Sequence, residues 1–107
     1  MKTNYHRVEQ LEHANQFVIL GDGEIIFQSY NSIIAVYTTD SPHTLTLGRD
    51  WDYSKTTLVH LYLFIERYIW NVRGVAIDSL IADSRNKKQT IEKLIKRGII
   101  DYDHELR

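Results

Sequence analysis

Thr44-Leu45-Thr46-Leu47-Gly48-Arg49-Asp50-Trp51-Asp52-Tyr53-Ser54-Lys55-Thr56-Thr57-Leu58-Val59-His60-Leu61 is the stretch in which the apolar period changes from two to nearly four. His43 to Leu47 alternates strictly. A strand there turns Leu45 and Leu47 to one side and leaves Thr44 and Thr46 on a wet or partner-covered face. Past Gly48, the residues Leu58, Leu61, Tyr62, Ile65, Ile69 and Val72 form a helical stripe, and Ser54 stands at the N-cap, so a helix is expected over about Lys55 to Asn71. Val59, Leu63 and Trp70 add a second apolar strip, leaving Thr56, His60, Arg67 and Asn71 as a narrow polar strip. A helix so apolar needs cover on more than one side, from the sheet and from either the C-terminal segment or a second subunit. Self-association as a homodimer is therefore expected.

Working outward, Phe17-Val18-Ile19-Leu20, Gly21-Asp22-Gly23 and Glu24 to Tyr30 read as strand, tight turn and strand. Ile33 to Thr38 is β-branched and apolar on both faces, as suits a central strand. Before them, Tyr5, Val8, Leu11 and Ala14 recur at intervals of three, which predicts a short amphipathic helix over Asn4 to Asn15. After the long helix, Arg73-Gly74 is a stop and Val75 to Ala82 leans helical through Ile77, Leu80 and Ile81. A last helix, capped by Asp83 or Ser84, carries Ile91, Leu94 and Ile95 on one face. Lys96 and Arg97 close its last turn and Gly98 ends it. Ile99-Ile100 is expected to return to the core, with 101–107 as a short charged tail. The expected architecture is one α+β domain over 1–107: a three- to four-stranded antiparallel β-meander packed on a long amphipathic helix, with a short N-terminal helix and C-terminal helices.

The 107 residues, 43% hydrophobic and 25% charged, match an ordinary globular domain with one core. The absence of cysteine excludes disulfides and thiolate sites and suits a reducing compartment. Met1 to Arg7 has no apolar signal core and Leu61 to Ile65 is too short to span a bilayer, so no membrane role and a cytoplasmic location in a bacterial cell are expected. A net charge of −1 offers no global attraction for nucleic acid.

No catalytic or cofactor signature stands. Asp50, Asp52 and Ser54 open like a calcium loop, but Lys55 replaces the required glycine and Leu61 the bidentate carboxylate. Asp50 and Asp52 read instead as partners for backbone donors at the helix start. The histidines at 6, 13, 43, 60 and 104 lack metal-ligand spacing. His60 reads as solvated or hydrogen-bonded on the polar strip. No serine lies on a nucleophile elbow, and Gly21-Asp22-Gly23 is a hairpin turn rather than a dinucleotide loop. Neither metal nor cofactor is expected.

Partner-binding candidates are Arg49, Asp50, Trp51, Asp52 and Tyr53 in the turn, and Trp70. The large aromatics are of the type enriched at binding hot spots, yet they pack cores as readily, so each could serve either role. Arg85, Lys87, Lys88, Lys93, Lys96 and Arg97 form the one local basic excess. It reads as a phosphate-contacting patch or as a solvated helix face diluted by Glu92, Asp101, Asp103 and Glu105.

Phe27-Gln28-Ser29-Tyr30-Asn31-Ser32-Ile33-Ile34-Ala35, then Leu47 to Thr57, then His60-Leu61-Tyr62-Leu63-Phe64, resembles a group of small proteins carried by phages, plasmids and other mobile elements of low-GC Gram-positive bacteria. The resemblance spans about residues 15 to 70, and no functional residues carry over with it. It implies a setting in which small accessory proteins occlude a surface on a host or defence protein, as counter-defence inhibitors of the anti-CRISPR kind do. The expected function is thus non-enzymatic protein–protein binding; the alternative is a DNA- or RNA-binding regulator acting through the basic C-terminal helix.

Overall fold

The computed structural model describes residues 5–77, 81 and 85–106. In chain order these form β1 (Tyr5–Gln10), β2 (Gln16–Gly21), β3 (Glu24–Ser29), β4 (Ser32–Thr38), β5 (Thr44–Gly48), α1 (Lys55–Tyr68), α2 (Lys87–Lys96) and β6 (Asp101–Asp103). One six-stranded sheet runs in the order β1-β2-β3-β4-β5-β6. Neighbours are antiparallel from β1 to β5, and β6 joins β5 in parallel. The α+β class holds, and the sheet is larger than expected.

Two segments read otherwise from the sequence provide the extra strands. The stretch expected to be an N-terminal helix is β1 and the loop after it, with Asn4 outside the described residues. Glu12 and Asn15 take left-handed φ values of 67° and 68°, which no helix accommodates. Pairing with β1 also satisfies the outer backbone groups of β2 that would otherwise form a sheet edge. The expected charged tail contains β6, which reaches β5 only after the chain has crossed through α1 and α2. Local pattern cannot register such a partner.

The other strands follow their patterns. Gly23, with φ of 77°, supplies the positive dihedral of the β2–β3 turn. Val18, Phe27, Ala35 and Leu47 lie in one register row, and Leu20, Ile25, Tyr37 and Leu45 in another, all pointing to the core face. A bulge in β4 leaves Ile34 as an extra residue between the pairs Phe27↔Ala35 and Gln28↔Ile33. Its side chain is buried at the start of the strand.

α1 lies on this core face, burying Thr57, His60, Leu61, Phe64 and Ile65. The Phe64 ring stacks on Phe27 at 5.7 Å, and the Tyr68 hydroxyl donates to Glu9 of β1. Ser54 caps the helix by accepting from the Thr57 amide at 3.1 Å. The helix stops sooner than its periodicity suggested. Ile69 turns extended and buries its side chain, carrying Trp70 off the helix and onto Tyr37 and His43 at 5.4 and 5.6 Å. α2 buries Ile91 and Leu94 in the same core. Its cap is Asn86, accepting from the Gln89 amide at 3.0 Å; Asp83 and Ser84 lie outside the described residues, as does Leu80. Ile77 and Ile81 are buried, and Ile100 returns to the core as expected.

Candidate functional site

The turn between β5 and α1 is built on a close approach of backbone. A Cβ on Gly48 would stand 2.4 Å from the Leu106 carbonyl oxygen and 2.6 Å from that of Ile33, so only glycine fits. The Arg49 amide donates to the same Leu106 oxygen at 3.1 Å, and Trp51 and Tyr53 amides donate back to Gly48 and Asp50. These bonds set consecutive side chains in different directions. Trp51 is 5% exposed and belongs to the core, whereas Tyr53 is 80% exposed. Asp50 accepts from the Ser32 hydroxyl at 3.0 Å, and Asp52 pairs with Lys88 at 3.3 Å. Arg49 is exposed.

Of the turn candidates, Asp50 and Tyr53 reach a common cleft. It has a volume of about 520 Å³ and opens between the β3–β4 turn and the first turn of α1. Tyr30 and Tyr53 stand among its walls with Asn31, Ser32, Asp50 and Thr56, and Ile34, turned in by the bulge, lines it too. No lysine or arginine lines it. Trp51 is withdrawn into the core, and Asp52 is held by α2. Trp70 lies past the C-terminal end of α1, about 21 Å of helix from Ser54 at 1.5 Å per residue. It is not part of this site.

Tyr30 and Asn31 were not among the sequence candidates. Tyr30 is 63% exposed and holds a φ of 53°, a conformation costly for a bulky side chain. Its amide is tied to the Asn15 carbonyl at 2.7 Å. A large aromatic occupying a turn slot suited to Gly or Asn was the signal available.

Of the two roles expected for His60 the hydrogen-bonded one holds, but the residue lies on the buried side of α1 rather than on a polar strip. Nδ1 donates to the Thr56 carbonyl at 2.8 Å, since that oxygen cannot donate. The His13 ring meets His60 edge-on at 5.2 Å. Nearby, Arg67 pairs with Glu12, and this hydrogen bond holds the Glu12 carboxyl below its ordinary pKa. Among the described residues, no cluster of three or more His, Cys, Asp or Glu side chains could hold a metal ion.

Two members of the basic set have partners within the fold. Lys88 is paired with Asp52, and Lys87 sits over the Tyr62 ring at 5.4 Å. Lys93 and Lys96 occupy the last turn of α2, where cations favour the helix carbonyl end, and Arg97 follows as its C-cap. Arg85 precedes the helix and is exposed.

A family model of unknown function, DUF8033, matches residues 2–76, the span that contains β1 to β5, α1 and the cleft. The chain belongs to the DUF8033 family. Comparison with curated proteins returns no match, and comparison with solved structures returns none. The DUF8033 match stops short of α2 and β6, so the basic helix lies outside the matched region while Tyr30, Asp50 and Tyr53 all lie within it. Among the described residues, no helix is long and apolar enough to cross a membrane.

Proposed function

We propose that this DUF8033 protein is a non-enzymatic binding protein that engages a protein partner through the Tyr30–Asp50–Tyr53 cleft. The observation that supports the reading is the pair of exposed tyrosines flanking a hydroxyl- and amide-lined cleft that holds one oriented carboxylate and no base. Tyrosine gives large contact area at low entropic cost, and an aromatic wall beside a carboxylate suits a basic side chain inserted from a partner. Arg49, exposed beside the turn, extends the contact. Such occlusion fits a small accessory protein of a phage or mobile element acting in the bacterial cytoplasm on a host or defence protein, in the manner of an anti-CRISPR inhibitor.

The test is affinity capture from lysate of the bacterial host with three baits: the unaltered protein, Tyr53→Ala and Asp50→Asn. The asparagine retains an acceptor for Ser32 while removing the charge. A protein held by the unaltered bait and lost from both variants, each still folded by circular dichroism, supports the proposal; identical capture by all three overturns the site. The nucleic-acid alternative is less favoured because Lys87 and Lys88 are engaged within the fold and base-reading side chains do not accompany Lys93, Lys96 and Arg97. A gel shift at low salt that disappears on charge reversal of those three residues would favour it instead.

A further inference from the structure

The sheet has a second apolar face, turned away from α1. Register places Val8, Ile19, Ile26, Val36 and Thr46 side by side across β1 to β5, on the side opposite the core rows. Phe17 and Ile33 flank this stripe, since each pairs with Gln28 in the next register row of the same face. These residues do not belong to the core. Phe17, Ile19, Ile33 and Val36 are absent from the partly buried side chains that pack against it, and Ile26, at 8% exposure, is buried yet outside the core cluster. Val8 is exposed. An antiparallel sheet with one face in water alternates apolar and polar positions; here both sets of positions in the central strands are apolar.

We infer that this face is the contact surface between two copies of the chain, packed sheet on sheet. Area is the first argument. Five strands about 4.8 Å apart, over about six residues of about 3.3 Å, give a face of about 500 Å² per copy, so a pair covers about 1,000 Å², the size at which a specific contact begins. Charge is the second. The described outward strand positions carry no lysine or arginine and include Glu24, Asp103 and Asp101, the last of them neutralised by Arg73 at 2.6 Å, so the face offers no excess of positive charge to phosphate-bearing partners or anionic lipid. Shape is the third: two copies share one sense of twist, and sheets of equal twist stack about 10 Å apart with strands roughly 30° off alignment. The expected homodimer thus moves from the helix to the sheet. α1 keeps Leu58, Tyr62 and Leu63 against the core and exposes Val59 as its apolar outlier. The cleft at the β5–α1 turn lies on the other side of the sheet and stays open in such a dimer.

Sedimentation equilibrium of the full chain tests this. The unaltered protein is expected to show a reversible, concentration-dependent dimer. The exposed-edge variant Val8→Lys and the central variant Val36→Lys should each raise its dissociation constant at least tenfold, while Tyr53→Ala leaves it unchanged. A chain without cysteine allows a second measurement that does not depend on tolerance of a central charge. Ile26→Cys, at the middle of the stripe, should be cross-linked between copies by a homobifunctional maleimide long enough to span the roughly 10 Å between stacked sheets, and Tyr53→Cys should not. A strictly monomeric unaltered protein, or a dimer that survives Val8→Lys and fails to cross-link through Ile26→Cys, overturns the inference.

Discussion

Trp51 and Tyr53 stand two residues apart in one turn, and the structure assigns them opposite roles, so alanine at each should give opposite outcomes. At 5% exposure Trp51 removes nearly its whole side chain from water. A ring of this kind buries about 150–250 Å², worth about 4–6 kcal/mol at about 25 cal/mol per Å². Residual burial in the unfolded chain lowers that to about 3–5 kcal/mol, which agrees with the range for emptying a large aromatic site in a core. Tyr53, at 80% exposure, should cost less than about 0.5 kcal/mol. A domain of 107 residues has about 5–15 kcal/mol to lose, so Trp51→Ala should be folded but marginal. Urea unfolding followed by far-ultraviolet circular dichroism measures both. With a slope of about 2 kcal/mol per M, the Trp51→Ala midpoint should fall by about 2 M and that of Tyr53→Ala should barely move. A loss below about 1 kcal/mol for Trp51→Ala, or a comparable loss for Tyr53→Ala, would refute the division of the turn into a core anchor and an exposed binding wall.

Gly48→Ala should destabilise by about 2–3 kcal/mol or more, because the new methyl meets two backbone oxygens that cannot step aside; thermal unfolding near the unaltered midpoint would contradict that geometry. Tyr68 has a pKa pushed up to about 12 by burial and by its hydrogen bond to Glu9. Its neutral form is favoured in the folded state, so the stabilisation is complete below the ordinary tyrosine pKa near 10 and is lost as pH rises towards 12. Alkaline unfolding curves should therefore fall less steeply over that window for Tyr68→Phe, and parallel curves would count against the coupling. Ser54→Ala should cost about 1 kcal/mol through loss of the α1 cap, measured by urea unfolding, with Ser54→Asp restoring most of it.

Local pattern made much of the fold legible. The β2–β3 hairpin, the alternation in β5, the Ser54 cap and the Gly98 stop of the last helix are decided by neighbours within a few residues, and sequence displays those directly. The candidate site was half legible. Asp50 and Tyr53 could be named because a charged, aromatic turn is visible as text. Tyr30 and Asn31 join them only because β3 and β4 fold alongside β5, a relation between residues some twenty positions apart in the sequence. His60 was misplaced because helical periodicity leaves the width of the buried arc open. The loop from Leu11 to Gln16 closes over α1 and widens it.

What the sequence by itself determined is the α+β class, the change of period at Gly48, the apolar sides of the central strands and the lack of cysteine chemistry. Tertiary structure alone decided that residues 5–10 and 101–103 are strands, because an edge strand is defined by the backbone it pairs with rather than by its own side chains. It also decided that Trp51 turns inward while Tyr53 turns outward. Their chemistry is similar, and the difference arises from the carbonyls of Gly48 and Asp50, which fix the Trp51 and Tyr53 amides and so aim the two rings at core and solvent.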